Sequence, residues 1–331
     1  MSEQGISTDH TAAVDTLTCA PTSPLDLLLS DRFAEKTAET ASQYLGVLAD
    51  AGFSRDQVGV SAQDGILNCL SRLQPHLQQH DIQILQLDIP SVYGPQHLPL
   101  RVENDGIVAG IAYTLMQRPT LGQRNHTIET FAGIVVPVNG VTTLRDASSM
   151  LGSRGYTDSL IQSLQRAGLD LAKTVVAVEI DHETDSVESY ITLVNSLRER
   201  YGYTGLKFEL SVDLAHMVEA QRRLYRGDPP FDDLGAKALR LFDDLAATGQ
   251  LSHVAMVEID CMDTNGAPHA PFHSNVIQFE RPLKLWHSAR TSGTSPYTLQ
   301  IVYEGFPGDD SIHTQRQDLV AFFSRLRGAM I

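Results

Sequence analysis

The chain has 331 residues, with 25 Lys+Arg against 40 Asp+Glu, a formal net charge of −15, and 42% hydrophobic residues. That acidic balance, with no clustered Lys/Arg block, argues against binding to a nucleic-acid backbone, where affinity comes from cations that displace counterions. The apolar fraction is ample for one large core or two ordinary ones, and no apolar run approaches the ~20 residues that a membrane span needs.

Residues 1–24 are rich in Ser, Thr, Asp, Ala and Pro without periodicity, and are expected to form a loose N-terminal tail. They lack a basic start followed by an apolar block, so no secretory signal is expected. Cys19, Cys69 and Cys261 are widely spaced and form no CxxC, which fits a reducing, cytoplasmic location.

From Leu25 onward the chain alternates short apolar runs with longer stretches of helical periodicity. The runs are Leu25–Ser30, Gln57–Ser61, Ile82–Asp88, Thr127–Val138, Thr174–Asp181, Leu206–Asp213, His253–Asp260 and Thr298–Glu304. Between and after them, helices are expected over Phe33–Ala51, Gly65–Gln79, Gly106–Gln117, Thr157–Ala167, Ser186–Tyr201, Phe231–Thr248, Val276–Ala289 and Ser311–Met330. Asp185-Ser186-Val187-Glu188 carries helix-start chemistry, and Gly52, Gly168, Gly202 and Gly249 each stand just past an amphipathic run. A βα rhythm of eight units, without GxGxxG or a Walker sequence, predicts an α/β chain folded as a single (β/α)8 TIM barrel over residues 25–331. Three long connections, Ile89–Asp105, Ala215–Pro230 and Cys261–Asn275, all follow strands and would lie on the face where such barrels carry their sites.

Alternation within the later strands brings acids to that face. Glu179 shares a side with Val175 and Ala177; Asp213 with Glu209 and Ser211; Glu258 with Val254 and Met256; Glu304 with Gln300 and Val302. Four carboxylates converging on a poorly solvated mouth repel unless some are protonated or a cation sits among them. A divalent ion is the simpler resolution, and oxygen donors favour Mn²⁺, Mg²⁺ or Ca²⁺. Pairing of individual acids with Lys207, Arg222 or Arg223 is the competing explanation.

The segments V-A-V-E-I-D-H-E (Val176–Glu183), S-V-D-L-A-H-M (Ser211–Met217) and L-Q-I-V-Y-E-G (Leu299–Gly305) resemble those of the xylose isomerase-like TIM-barrel superfamily, and Ala270–Phe279 is similar to its loop into the seventh helix. The resemblance covers roughly the second half of the chain. It implies one bound divalent ion (Mn²⁺, Mg²⁺, Fe²⁺, Co²⁺ or Zn²⁺) held by Glu179, Asp213 and Glu304, with His216, three residues past the Asp, contacting substrate or a second metal. Where that superfamily presents a His on the seventh strand, this chain has V-E-I-D, so Glu258 or Asp260 takes its place, or the metal site is altered or lost. The Lys that xylose isomerase itself has near the fifth strand is also absent, with Asp181 in its place, which favours proton transfer over hydride shift.

The expected activity is therefore that of an isomerase, an epimerase or a dehydratase-type lyase. It would act on a small polyhydroxylated or α-hydroxycarbonyl substrate through an enediolate, with Glu179 or Glu304 moving the proton. His182 and Asp88 are further candidates for substrate contact. A homo-oligomer is compatible with the sequence. Two other classes fit: a metal-lost barrel that binds a metabolite or a protein, and a multi-iron, oxygen-using enzyme on a related barrel. His269 and His273 read as loop residues, Cys261 as a small apolar residue, and Trp286 as packing.

Overall fold

The computed structural model describes residues 25–29, 38–54, 57–62, 79–80, 83–88, 133–137, 158, 161–162, 164–166, 171–180, 187–215, 217–218, 240, 242–260, 279–291, 299–305 and 311–330. Eight strands, β1 (Leu25–Leu29), β2 (Val58–Ala62), β3 (Gln83–Asp88), β4 (Gly133–Pro137), β5 (Val175–Ile180), β6 (Lys207–Asp213), β7 (Val254–Ile259) and β8 (Leu299–Tyr303), pair in chain order. Each pair is parallel, and β8 returns to β1 through Leu25↔Leu299 to Leu29↔Tyr303, so the barrel is closed. An open sheet is thereby excluded.

Closure explains the near-continuous apolar character of the strands, since both faces are covered. On β5 and β6 one face, Val176, Val178, Phe208, Leu210 and Val212, joins the large core between strands and helices. The opposite face supplies Ala177, which forms a separate small cluster with Met256 and Val302 inside the barrel.

Among the described residues, the helices packed on the outer core include α1 (Ala38–Asp50), α2 (Val187–Tyr201), α3 (Glu280–Thr291), α4 (Ser311–Thr314) and α5 (Arg316–Gly328). Their buried residues recur at three and four, as in Tyr190, Leu193, Val194, Leu197 and Tyr201 of α2. Phe322 and Phe323 of α5 meet Tyr303, Phe279 and Tyr44 with ring centroids 5.0–5.9 Å apart, tying the last helix to β8 and to α1. Trp286 is fully buried, as expected of packing, and its Nε1–H also donates to the Val254 carbonyl at 2.7 Å.

Several boundaries differ from the sequence expectation for identifiable reasons. The helix expected over Val276–Ala289 begins at Glu280: Leu283 N–H makes its bond to the Phe279 carbonyl, which places Pro282 in the first turn, where a missing N–H costs no intrahelical bond. The expected Ser311–Met330 helix is split at Gln315, whose carbonyl accepts from Leu319 and starts α5. The left-handed residue after α2 is Gly205 (φ 83°), not Gly202, because a 3-10 turn over Gly202–Thr204 intervenes. Ala215, Met217 and Val218, expected to belong to the connection Ala215–Pro230, are helical and buried. Of the long fourth run Thr127–Val138, the strand occupies Gly133–Pro137. The tail at residues 1–24, the helix expected over Gly106–Gln117 and the connections Ile89–Asp105 and Cys261–Asn275 lie outside the described residues. Among the described residues no helix is long and apolar enough to cross a membrane.

Candidate metal centre

The inward face of β6 reads Glu209, Ser211, Asp213, opposite the core residues Phe208, Leu210 and Val212. Between β6 and β7 the register shifts: Leu210 pairs with Val254, but Ser211 pairs with Met256 and Asp213 with Glu258. The extra residue, Ala255, is a local bulge of the kind that re-aims side chains near sites. Its consequence corrects one expectation. Val254 belongs to the outer core with Leu210, while Met256 and Glu258 face the interior.

Glu304 stands one residue past β8, and its backbone N–H continues the β7–β8 ladder by donating to the Ile259 carbonyl at 3.1 Å. The three strand ends thus bring Asp213, Glu258 and Glu304 together, all buried, each offering a carboxylate oxygen within 4.8 Å of the others'. Two of these groups are held by hydrogen bonds. The Ser211 hydroxyl donates to Glu258 Oε1 at 3.0 Å, and Ala215 N–H donates to Asp213 Oδ1 at 2.7 Å. The second bond is an N-terminal helix cap, and it accounts for the helical turn directly after β6.

Of the four acids expected at the mouth, then, three meet. Glu179 is in β5 at the register position beside Ser211; its side chain lies outside the described residues. Of the two alternatives on the seventh strand, Glu258 enters the cluster, while Asp260 is buried but is not one of the three. Asp88 is the last residue of β3 and pairs with Val135; its side chain, like the whole of His182, His216, Cys261, His269 and His273, lies outside the described residues.

Beneath the triad, Ala177, Met256 and Val302 form an apolar layer. At the start of β6 lies a charged group that sequence reasoning missed. Arg290 of α3 donates to Glu209 Oε2 at 3.2 Å and to the Ser252 carbonyl at 2.7 Å, and Arg198 of α2 lies 3.9 Å from Glu209 Oε1. Burial pushes the Glu209 carboxyl above the usual carboxylate range, against the pull of Arg290 and Arg198. The sequence places Glu209 on the same face as Ser211 and Asp213, but nothing in it marks Arg290 or Arg198 as its partners.

The donor set suits a hard divalent cation. Oxygens bound to one ion at about 2.0–2.6 Å can be no more than about 4–5 Å apart, and the separations here fall in that range. Unit negative charges about 4 Å apart repel by about 4 kcal/mol at an effective dielectric of about 20, so a bound cation would relieve the cluster. Among the described residues the donors are all carboxylates, a set that favours Mg²⁺, Ca²⁺ or Mn²⁺ over softer metals.

No family model and no curated protein matches the chain. Solved structures do. Proteins with a xylose isomerase domain are among them. A xylose isomerase domain protein from Planctomyces limnophilus is 14% identical with a TM-score of 0.47, over 93% of this chain and 98% of that one. D-allulose 3-epimerase from Methylomonas sp., solved in complex with D-allulose, is 10% identical with a TM-score of 0.47, over 93% and 98%. An AP endonuclease of family 2 from Brucella melitensis is 12% identical with a TM-score of 0.44, over 89% and 98%. The barrel itself rests on the strand pairing above.

Proposed function

We propose that the protein is a divalent-metal-dependent isomerase or epimerase, or a dehydratase-type lyase, acting on a small polyhydroxylated or α-hydroxycarbonyl substrate. The observation that carries this reading is the convergence of Asp213, Glu258 and Glu304 at the ends of three adjacent barrel strands. These three would hold the ion, and Glu179, at the neighbouring position on β5, would complete the set. When bound, the ion supplies a Lewis acid that polarises a substrate carbonyl.

The remaining chemistry falls to the chain. One of Glu179 and Glu304 takes the proton beside the carbonyl, giving an enediolate; in an epimerisation the other delivers a proton to the opposite face of the same carbon, and in an isomerisation a proton is returned to the adjacent carbon. Isomerisation also moves the hydroxyl proton onto the former carbonyl oxygen; in a dehydration the enediolate expels the neighbouring hydroxyl as hydroxide in place of taking a proton back. The layer of Ala177, Met256 and Val302 keeps bulk water from reaching the triad through the barrel, and lower local polarity strengthens every charge interaction above it. His216, His182 and Asp88 are assigned to substrate contact. The net charge of −15 disfavours a nucleic-acid substrate. A cytoplasmic location completes the proposal.

The test has two parts. Purified protein is stripped with chelator and titrated with Mn²⁺ and Mg²⁺, then incubated in D₂O with a panel of ketoses and aldoses that includes D-allulose and D-fructose. The reading predicts tight binding of one ion per chain and metal-dependent deuterium incorporation beside the carbonyl. Absence of ion binding by the stripped protein would overturn it.

A further inference from the structure

Glu258 stands in the buried triad beside Asp213, and a long acidic side chain there raises a problem of its own. Its side chain has three rotatable bonds, and ordering it as a ligand costs rotamer freedom. It also faces Asp213 across the β6–β7 pairing, so repulsion tends to turn its carboxylate away from the cluster. Something must hold it in place while the ion is absent and aim it when the ion arrives.

The β6–β7 bulge supplies the means. Had the register continued unshifted from Leu210↔Val254, Ser211 would stand opposite Ala255; the shift sets it opposite Met256, one inward position below the Asp213–Glu258 pair. From there its hydroxyl reaches diagonally across the strands and donates to Glu258 Oε1 at 3.0 Å. Ser211 is fully buried and Glu258 is 7% exposed, so water offers this bond little competition. A hydroxyl bonded to an ionised carboxylate is among the stronger neutral-to-charged hydrogen bonds.

We infer that Ser211 is a positioning residue for Glu258, holding its carboxylate in the orientation that binds the ion. The inference rests on the metal-centre reading. Ser211 itself is not a ligand; it acts through Glu258, and its effect on ion affinity therefore disappears when there is no carboxylate at position 258 to orient.

Mn²⁺ affinity, measured by electron paramagnetic resonance and calorimetry on full-length protein stripped with chelator, tests this. Groups that orient a ligand typically contribute 10–100-fold to affinity. Ser211→Ala is expected to weaken Mn²⁺ binding by about that factor, and Ser211→Thr, which keeps the hydroxyl, to restore most of it. In a Glu258→Ala background, Ser211→Ala is expected to change the affinity less than about threefold, because contacting residues couple and the coupling is lost with either partner. Thermal melts in chelator report whether each variant is folded. Should Ser211→Ala not fold, Ser211→Cys, of similar volume but a weak donor, takes its place in the same comparison. Wild-type affinity in Ser211→Ala, or an equal loss in both backgrounds, overturns the positioning role and leaves the metal centre standing. Failure of the wild-type protein to bind Mn²⁺ removes the metal reading, and the inference with it.

Discussion

Asp213 and Glu258 are register partners on adjacent strands, so two buried carboxylates stand side by side at one height in the barrel wall. Like charges directly opposite in a sheet are destabilising, and selection for folding alone would not retain them. Glu258→Gln keeps an acceptor for Ser211 but removes one charge. In chelator this variant is expected to melt a few degrees above wild type, since about 1 kcal/mol corresponds to about 2–4 °C in domains of 150–250 residues. Wild type, in turn, is expected to gain about 2.7 kcal/mol from Mn²⁺ at a hundred times its dissociation constant, and the variant much less. Scanning calorimetry with and without Mn²⁺ reads both; a Glu258→Gln variant that melts lower in chelator would contradict the repulsion argument.

The Arg290–Glu209 pair predicts a large structural effect at a distance from the triad. The Arg290 side chain is 1% exposed and that of Glu209 12%. Removing one member of a buried ion pair leaves the other charge uncompensated, at a cost of about 3–5 kcal/mol. Arg290→Met is expected to lose stability in that range by urea unfolding, and adding Glu209→Gln to recover a substantial part. A double variant no more stable than Arg290→Met alone would mean that packing of the guanidinium, and not its charge, is what matters.

How much of this was legible in the sequence follows from where each interaction is encoded. Strand order and the inward position of Asp213, Glu258 and Glu304 could be read because strand alternation has a period of two and the strands are short. The bulge could not: Ala255 looks like any other strand residue, and only its pairing with β6 reveals that Val254 faces the outer core. The same holds for Ser211, whose bond spans 47 residues, and for Arg290, which reaches Glu209 across 81. Periodicity records which face a residue takes, and not which residue it meets there. The split at Gln315 was hidden for a different reason, since no Gly or Pro marks it.

Two left-handed glycines separate backbone strain from crowding. Gly205 has φ 83°, and a Cβ there would meet Ala172 Cα at 3.3 Å; Gly249 has φ 70° with nothing within 4 Å. An alanine at either position bears the left-handed penalty of about 1–2 kcal/mol, and only Gly205→Ala adds a contact with backbone. Gly205→Ala is therefore expected to destabilise more than Gly249→Ala in parallel urea titrations. Equal losses would show that the turn relaxes away from Ala172.

His253 gives the chain a predictable response to acid. It ends the 3-10 turn Gln250–His253 that leads into β7, where burial, and after it the charges of Arg198 and Arg290, push its imidazole below the ordinary value of 6.5. Burial alone moves His287 the same way. As pH falls through about 6.5, the unfolded chain takes up protons that the folded chain refuses, so stability is full above that value and declines below it, toward the folded pKa. Glu209, with its raised pKa, works in the opposite sense, losing stability as pH rises from its unfolded value of 4.5 through the folded one. The slope of wild type alone therefore mixes the two, and the comparison with His253→Gln isolates the imidazole. Urea midpoints at pH 7.5 and 5.5 are expected to fall further for wild type than for the variant; identical falls would mean that His253 accepts a proton in the folded protein as readily as in the unfolded one.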